Sequence, residues 1–290
     1  MQLVVDSELE TIYTRVQLAN ALDFSRAGFY YQYRMDIKDE LIREKIDNLY
    51  KIDDTLGPKK LSVLLSIGKN RCQRIMDKYD LHPRKVKSNG WDKPGKAHII
   101  FPNLLLENEG SEKQEGKLFF SDMFEFKLVD STTVYGCFIL KHLTRQVISL
   151  IFDYTKDATL LQAVINNSTD FLDKGDILHL DQVRQQSEKE VMRITNELAI
   201  LISISRASTP TDNPFAERFV GIFKLAVVHR QPFLTMGQVL DRALEWINFY
   251  NETRPHESLN QMSPNNYAKQ VGEKNGSVLR AFFVCEKMGS

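Results

Sequence analysis

The sequence predicts a mixed α/β domain preceded by an all-helical region. Apolar residues recur at helical spacing through the first eighty residues, whereas after residue 116 they form three strand-like runs. A polar, turn-rich stretch separates these two patterns. The composition is 42% hydrophobic and 10% aromatic, which can bury a core and excludes general disorder. No run reaches the ~18 apolar residues of a membrane helix, so we expect no membrane span.

The helical region reads as two helix-turn-helix units, over 1–35 and 36–82. In the first unit, segment 15–22 precedes a turn, and Ser25 caps a second short helix. In the second unit, a helix over 38–52 ends before a Gly-Pro break, and two more helical segments follow around a Ser-Ile-Gly turn. Two short helices joined by a tight turn are typical of DNA-binding modules.

Charge is balanced over the whole chain but not along it. There are 38 basic and 38 acidic residues, yet residues 59–96 hold 11 basic and 3 acidic side chains. A short basic block of this kind predicts a local contact with a polyanion, although a solvated helix face is an equal alternative. The candidate DNA contacts are Lys69, Arg71 and Arg74 of the second unit, and Arg26 of the first.

The remainder of the chain is predicted as a linker over 83–116, an α/β core over 117–270 and a tail over 271–290. The core begins with strands over 117–126, 131–140 and 144–152. Helices and short buried strands then alternate, and two long helices end the pattern, at 214–230 and 236–251. This order favours a mixed sheet covered by helices.

Three carboxylates of the core stand out by their position. Asp122 lies inside an aromatic strand and shares a strand face with Phe120 and Phe124. Asp181 ends the short buried strand DILHLD, where polar residues often serve a function in α/β folds. Glu217 lies in the first turn of the helix that Pro214 begins. Singly, each fits an ordinary structural role such as a cap or a turn.

Brought together, the three carboxylates would repel and raise one another's pKa. Divalent cations remove that penalty, and Mg²⁺ or Mn²⁺ prefers oxygen ligands. Two such ions can activate an attacking oxygen and stabilise a leaving oxygen at a phosphodiester. The pattern therefore makes a metal-dependent phosphodiester chemistry one hypothesis for this chain.

From Asp122 onward the chain resembles the catalytic core shared by retroviral integrases and DDE transposases of bacterial insertion sequences. Asp122 lies in FFSDMFEF, Asp181 in HLD, and 35 residues separate Asp181 from Glu217, an interval characteristic of that family. SRASTPTDNPFAERFVGIFK resembles the segment around the family's Glu, and INFYNETRPHESLNQMSPNNY resembles its C-terminal signature. The helix-turn-helix region, including GKNRCQRIMDKYDL, resembles the N-terminal part of second-reading-frame transposases.

The resemblance implies a ribonuclease-H-like core with a mixed five-stranded sheet and DNA cleavage and strand transfer at insertion-sequence ends. It implies two Mg²⁺ or Mn²⁺ ions, one held by Asp122 and Asp181 and the other by Asp122 and Glu217. Lys224, on the helix face of Glu217, is the expected phosphate contact beside the site. His179 is expected to orient or pack rather than bind metal, and Arg254 and His256 to structure their loop.

The implied partners are terminal inverted repeats and target DNA, a second copy of the chain on DNA, and in some relatives an upstream-frame helix-turn-helix protein. Three scattered cysteines suit a reducing compartment, here the bacterial cytoplasm with its nucleoid. Two alternatives stay open. One is a DNA-binding protein that has lost its chemistry, because the residues after Asp181 depart from the family pattern. The weaker one is a nuclease or ribonuclease-H-like hydrolase, against which the helix-turn-helix region speaks.

Overall fold

The structure is a computed structural model that describes residues 13–21, 23, 25–85, 103–107, 117–181, 188–206 and 213–273. Most of the predicted tail over 271–290 and most of the predicted linker lie outside these residues. In the helical region, α1 spans Arg15–Ala21, α2 Arg26–Ile52, α3 Pro58–Leu64 and α4 Lys69–Lys78. No helix in the described ranges is both long and apolar enough to cross a membrane.

The prediction of two separate helices between residues 25 and 52 is wrong. Helix α2 runs unbroken for 27 residues, so the predicted boundary at residue 35 falls inside it. The physical reason is that residues 29–56 contain neither Gly nor Pro, and the polar segment around residue 36 tolerates helical geometry. The second helix-turn-helix order is observed: Pro58 occupies the first turn of α3, and residues 65–68 connect α3 to α4.

A five-stranded sheet forms the core, and all five strands fall where the sequence predicts them. They are β1 Leu118–Lys127, β2 Thr133–Lys141, β3 Val147–Asp153, β4 Ile177–Leu180 and β5 Leu201–Ile204. The spatial order is β3-β2-β1-β4-β5. Strands β1, β2 and β3 pair antiparallel, whereas β4 pairs parallel with both β1 and β5. This mixed order is that of the ribonuclease-H-like fold, which confirms the predicted fold class.

Helices cover both faces of the sheet. The remaining helices are α5 Leu104–Glu107, α6 Ala158–Asn166, α7 Glu188–Leu198, α8 Pro214–Phe223, α9 Met236–Glu252 and α10 Pro264–Gln270. A π-helical turn, Lys224–Val228, continues α8. Helices α8 and α9 share an aromatic-rich core with one face of β1 and β2, and α6 shares a second, aliphatic core with the opposite face. One sheet face therefore packs against the helix that carries Glu217.

The helical region packs against the end of α9 and the loop that follows it. Phe249 of α9 is buried among Ile46 and Leu61 of the helical region. Arg254, just after α9, donates from Nε to Asp53 at 2.7 Å, and the Arg254 and Asp53 side chains are 2% and 0% exposed. The expectation that Arg254 has a structural role is met, because its guanidinium joins two parts of the fold.

Candidate active site at the sheet edge

The strand register brings Asp122 and Asp181 side by side. In the parallel pair of β1 and β4, Phe120 pairs with His179 and Ser121 pairs with Leu180. Continuing this register by one residue sets Asp181 next to Asp122, on strands whose backbones are ~4.8 Å apart. The two aspartates thus lie at the end of β4, although 58 residues of chain separate them.

The alternation of the strands sets the direction in which these carboxylates point. Phe120 and Phe124, on either side of Asp122, both belong to the aromatic core beneath α8 and α9. In β4, the His179 ring lies 5.6 Å from the Phe120 ring, on that same face. Since residues two apart share a strand face, Asp122 and Asp181 both face the side of the sheet on which α8 lies.

A hydrogen bond ties the start of α8 to the strand that bears Asp122. Asn213 is the N-cap residue of α8 but makes no side-chain capping bond. Its Nδ2 instead donates to the backbone oxygen of Ser121 at 3.3 Å. Glu217 follows one turn later, and its backbone N–H donates to the Asn213 carbonyl at 3.2 Å. The first turn of α8 is thereby held beside the residue that precedes Asp122.

The three carboxylates influence one another electrostatically. Burial, then the Asp181 charge and to a smaller extent Glu217 raise the pKa of Asp122, which is about 7. The Met123 N–H, which donates to Asp122 Oδ1 at 2.7 Å, and Lys156 oppose that rise. Burial and then the Asp181 charge also raise the pKa of Glu217. Negative charge therefore accumulates at this edge at a cost that a cation would relieve.

The structure does not close the three side chains around a single ion position. Within the described ranges, no group of three His, Cys, Asp or Glu side chains is close enough together to hold a metal ion. Asp181 and Glu217 are both exposed to solvent, whereas Asp122 is half-buried. Carboxylate oxygens are nevertheless the donors that Mg²⁺ or Mn²⁺ prefers.

His179 packs as the sequence analysis expects. It is completely buried, and its two ring nitrogens lie 2.8 Å and 2.9 Å from the hydroxyl oxygens of Ser203 and Ser205. The Ser203 hydroxyl also accepts a hydrogen bond from the Leu104 N–H at 3.0 Å. This network joins β4, β5 and α5 and occupies the imidazole, so His179 holds the end of β4 in place.

Lys224 lies beyond the carboxylates along the same side of the sheet. It is half-buried, and its Nζ is 5.9 Å from the centre of the Phe124 ring, two residues after Asp122. Lys224 also begins the π-helical turn, which changes the helical phase only after this residue. Glu217 and Lys224 therefore keep the shared helix face that their spacing predicts, and the phosphate contact stays a prediction.

Acidic side chains of α2 neutralise part of the positive charge of helix α4. Arg71 and Arg74 pair with the buried carboxylate of Asp39 on α2, at 3.4 Å and 2.8 Å. Lys78 pairs with Asp36 of the same helix at 2.7 Å. These acids belong to the preceding acidic block of sequence, so folding neutralises part of the basic block.

Of the remaining candidate DNA contacts, Lys69 at the start of α4 is exposed. Arg26 lies at the start of α2, and its side chain falls outside the described residues. For all of these basic residues the DNA contact stays a prediction.

A second basic group, which the linear sequence does not reveal, lies around the first turns of α8. Arg145 occupies the tight turn between β2 and β3, Arg218 follows Glu217 on α8, and Lys60 lies on α3. These residues are more than 70 positions apart in sequence, so no segment count reveals them. The sequence feature that points to this group is Arg145, which the strand pattern places in the short turn between β2 and β3.

The sheet order is that of a ribonuclease-H-like core, and the comparisons with known proteins add the following. A family model described as "Integrase core domain" matches residues 198–264, a range that contains Glu217 and Arg254 but neither aspartate. The chain is 22% identical over 276 residues to the InsK protein of insertion sequence element IS150 from Escherichia coli K12, spanning 91% of this chain and 97% of InsK. It is 27% identical over 96 residues to the transposase for IS904 from Lactococcus lactis, spanning 33% of this chain and 38% of that protein.

Among solved structures, the chain is similar to the Mos1 strand transfer complex, with a TM-score of 0.43 and 14% identity over 72% of this chain and 70% of that one. The chain is therefore similar, over its whole length or over part of it, to transposases of bacterial insertion sequences and to an integrase core domain.

Proposed function

We propose that the chain is a DDE-type polynucleotidyl transferase that cleaves DNA at insertion-sequence ends and joins it to target DNA. The observation that supports this proposal is the register of β1 and β4, which ends at Ser121 and Leu180, so that Asp122 and Asp181 each follow the last pair on the face of the sheet where α8 lies. Placing two carboxylates close together at the end of parallel strands costs free energy unless a cation binds them, and strand ends of this kind commonly carry functional sites.

Asp122 and Asp181 would hold one divalent cation, and Asp122 and Glu217 a second. Bound Mg²⁺ or Mn²⁺ supplies charge stabilisation for the attacking and leaving oxygens of a phosphodiester. The protein's own contribution is positioning. The Asn213–Ser121 hydrogen bond holds the start of α8 against β1, so that a small shift of the first turn can bring Glu217 toward the aspartates.

The partners that this function requires are terminal inverted repeats and target DNA. Lys69, Arg71, Arg74 and Arg26 are the proposed contacts of the helical region, and Lys224 is the proposed contact beside the carboxylates. Because two DNA ends must be joined in one event, we infer that two copies of the chain act together on DNA in the bacterial cytoplasm. An upstream-frame helix-turn-helix protein is an additional proposed partner.

The direct test uses purified protein, labelled duplexes of its own terminal repeats and Mn²⁺. We expect strand cleavage and joining by the wild type, and loss of both in Asp181→Asn and Glu217→Gln. Asp241→Asn, which changes an exposed aspartate on α9, is the matched control and should retain activity. Full activity of Asp181→Asn would remove that residue from the site.

A readout without DNA separates metal binding from chemistry. Mn²⁺ should raise the thermal unfolding temperature of the wild type, because a ligand that binds only the folded state stabilises it. Asp122→Asn should abolish that increase, whereas Asp241→Asn should preserve it. The same increase in Asp122→Asn and in the wild type would contradict the assignment.

The second candidate function is a sequence-specific DNA-binding protein without catalysis. It is favoured by one observation, that the described carboxylates do not enclose an ion position. It predicts that the wild type binds its terminal repeats but neither cleaves them nor gains stability from Mn²⁺. The two assays above therefore decide between the candidates.

A further inference from the structure

Three cations from distant parts of the chain lie around the first turns of α8. We call Lys60, Arg145 and Arg218 the shared basic cluster. Arg145 lies in the β2–β3 turn with a left-handed φ of 59°, and its N–H donates to the Lys141 carbonyl at 2.9 Å. Arg218 is exposed on α8, directly after Glu217, and Lys60 is half-buried on α3. The cluster thus combines the core with the helical region.

Stacking on an aromatic ring holds Arg145 in place. Its guanidinium carbon is 3.8 Å from the centre of the Phe215 ring, a favourable cation–π distance. Phe215 packs on Phe120 at 5.2 Å, so the stack rests on the β1 core. Phe215 and Arg218 are three residues apart on α8 and share a helix face. Arg145 and Arg218 are therefore neighbours on one surface.

The buried ion pair of Asp53 and Arg254 brings Lys60 to the same place. That pair joins the loop before α3 to the segment after α9, and Arg254 also donates to the Thr55 hydroxyl at 3.1 Å. Burial and then the Arg254 and Arg218 charges lower the pKa of Lys60 to about 7, against the opposing charges of Asp53 and Glu257. Lys60 is thus close enough to Arg218 to sense its charge.

The carboxylates that act on this cluster electrostatically, Asp53 and Glu257, are themselves paired with Arg254 and Lys59. None of its three members forms an ion pair or hydrogen bond with a carboxylate among the described residues, although Arg71 and Arg74 both do. The Arg145 Nη1 atom is buried without any hydrogen-bond partner in the same part of the chain. A buried donor without a partner costs about 1–3 kcal/mol. Unbalanced charge and an unused donor both favour a bound anion.

We propose that the shared basic cluster binds a DNA backbone phosphate beside the first turns of α8, with one ligand from the helical region and two from the core. Guanidinium groups match phosphate oxygens in a planar, bidentate geometry. DNA is the favoured source of the phosphate because Arg218 lies on the same helix as Glu217, which the proposed function assigns to DNA chemistry. The proposal rests on that function and deepens it, because a single duplex would contact both parts of the fold.

The test measures binding of the full chain to a fluorescent random-sequence duplex by anisotropy, without divalent metal. The variants are Lys60→Gln, Arg145→Gln, Arg218→Gln and the triple variant. Lys174→Gln, at an exposed site before the start of β4, is the control. Each lost phosphate contact should make the slope of log K against log salt less negative by about 0.9, and so lower the affinity about tenfold at 0.1 M salt.

Equal affinity and equal salt slope in the triple variant and in Lys174→Gln would overturn the proposal. Thermal unfolding distinguishes a ligand site from a structural one, because removing mutually repelling cations should not lower the unfolding temperature. A fall in that temperature that accompanies weaker binding would also overturn it. Inorganic phosphate, added at constant ionic strength, tests for a free-anion site. If the triple variant loses phosphate binding but keeps wild-type affinity for the duplex, DNA is excluded as the ligand.

The outcome is separable from that of the proposed function. Asp181→Asn should bind the duplex with wild-type affinity, because no metal is present in this assay. Normal cleavage by the wild type together with unchanged binding by the triple variant would refute the cluster only. Weakened binding by the triple variant and no cleavage by the wild type would refute the catalytic proposal only.

Discussion

Replacing Arg254 by Gln should detach the helical region from the core. The substitution leaves the Asp53 carboxylate buried without its cation, and removing one partner of a buried pair costs about 3–5 kcal/mol. The pair fits that class because the N···O distance is 2.7 Å and both side chains are almost inaccessible. Burial alone would raise the pKa of Asp53, yet Arg254 and the Thr55 hydrogen bonds outweigh it and lower that pKa. The carboxylate is therefore charged in the fold at neutral pH.

The measurement is the free energy of unfolding in urea for Arg254→Gln, Asp53→Asn and the double variant. The double variant should lose less stability than the sum of the two single variants, because its members contact one another directly. The exposed pair of Lys59 and Glu257 provides the control, and Lys59→Gln should cost less than about 1 kcal/mol. Additive losses for Asp53 and Arg254, or a cost of Arg254→Gln no larger than that of Lys59→Gln, would refute the reasoning.

Three further predictions follow from single contacts. Because the pKa of Lys60 is about 7, its deprotonation should weaken duplex binding by the wild type about tenfold between pH 6 and pH 8. The Lys60→Arg variant should bind the duplex almost independently of pH, and parallel anisotropy titrations of the two proteins measure this. Gly136→Ala should lower the free energy of unfolding by about 1–3 kcal/mol, because its Cβ would lie 2.5 Å from the Phe124 ring, and an unchanged urea midpoint would contradict it. His179→Phe should cost a similar ~1–3 kcal/mol by leaving two buried serine hydroxyls without their partner, and urea unfolding measures it.

Much of the core could be predicted from local pattern. Each strand lies in a short, mainly apolar or aromatic run that polar residues bound at both ends. The last helices begin at Pro214 and after Thr235, whose hydroxyl caps α9. The Asp122, Asp181 and Glu217 assignment also came from spacing, through its resemblance to a known family. Their pairing across β1 and β4 is a consequence of strand order, which periodicity alone does not contain.

The remaining features depend on contacts between distant residues. The continuity of α2 is not apparent from the apolar pattern, because the polar segment around residue 36 interrupts that pattern although it contains no helix-breaking residue. The partial neutralisation of α4 was missed because Asp39 and Arg74 are 35 positions apart and the charge was counted by segment. Lys60, Arg145 and Arg218 meet only after α3 docks on the core, so their common surface is invisible in the linear sequence.

The pairing of Asp53 with Arg254 also constrains the order in which the chain can complete its fold during synthesis. A ribosome releases Asp53 some 200 residues before its partner, and domains generally fold as they emerge. Until residue 254 is available, α2 to α4 carry a carboxylate and the apolar surface around Ile46 and Leu61 that Phe249 will later cover. The helical region can therefore take its final place only when synthesis of the core is nearly finished, so a product that stops early would leave this apolar surface exposed to solvent.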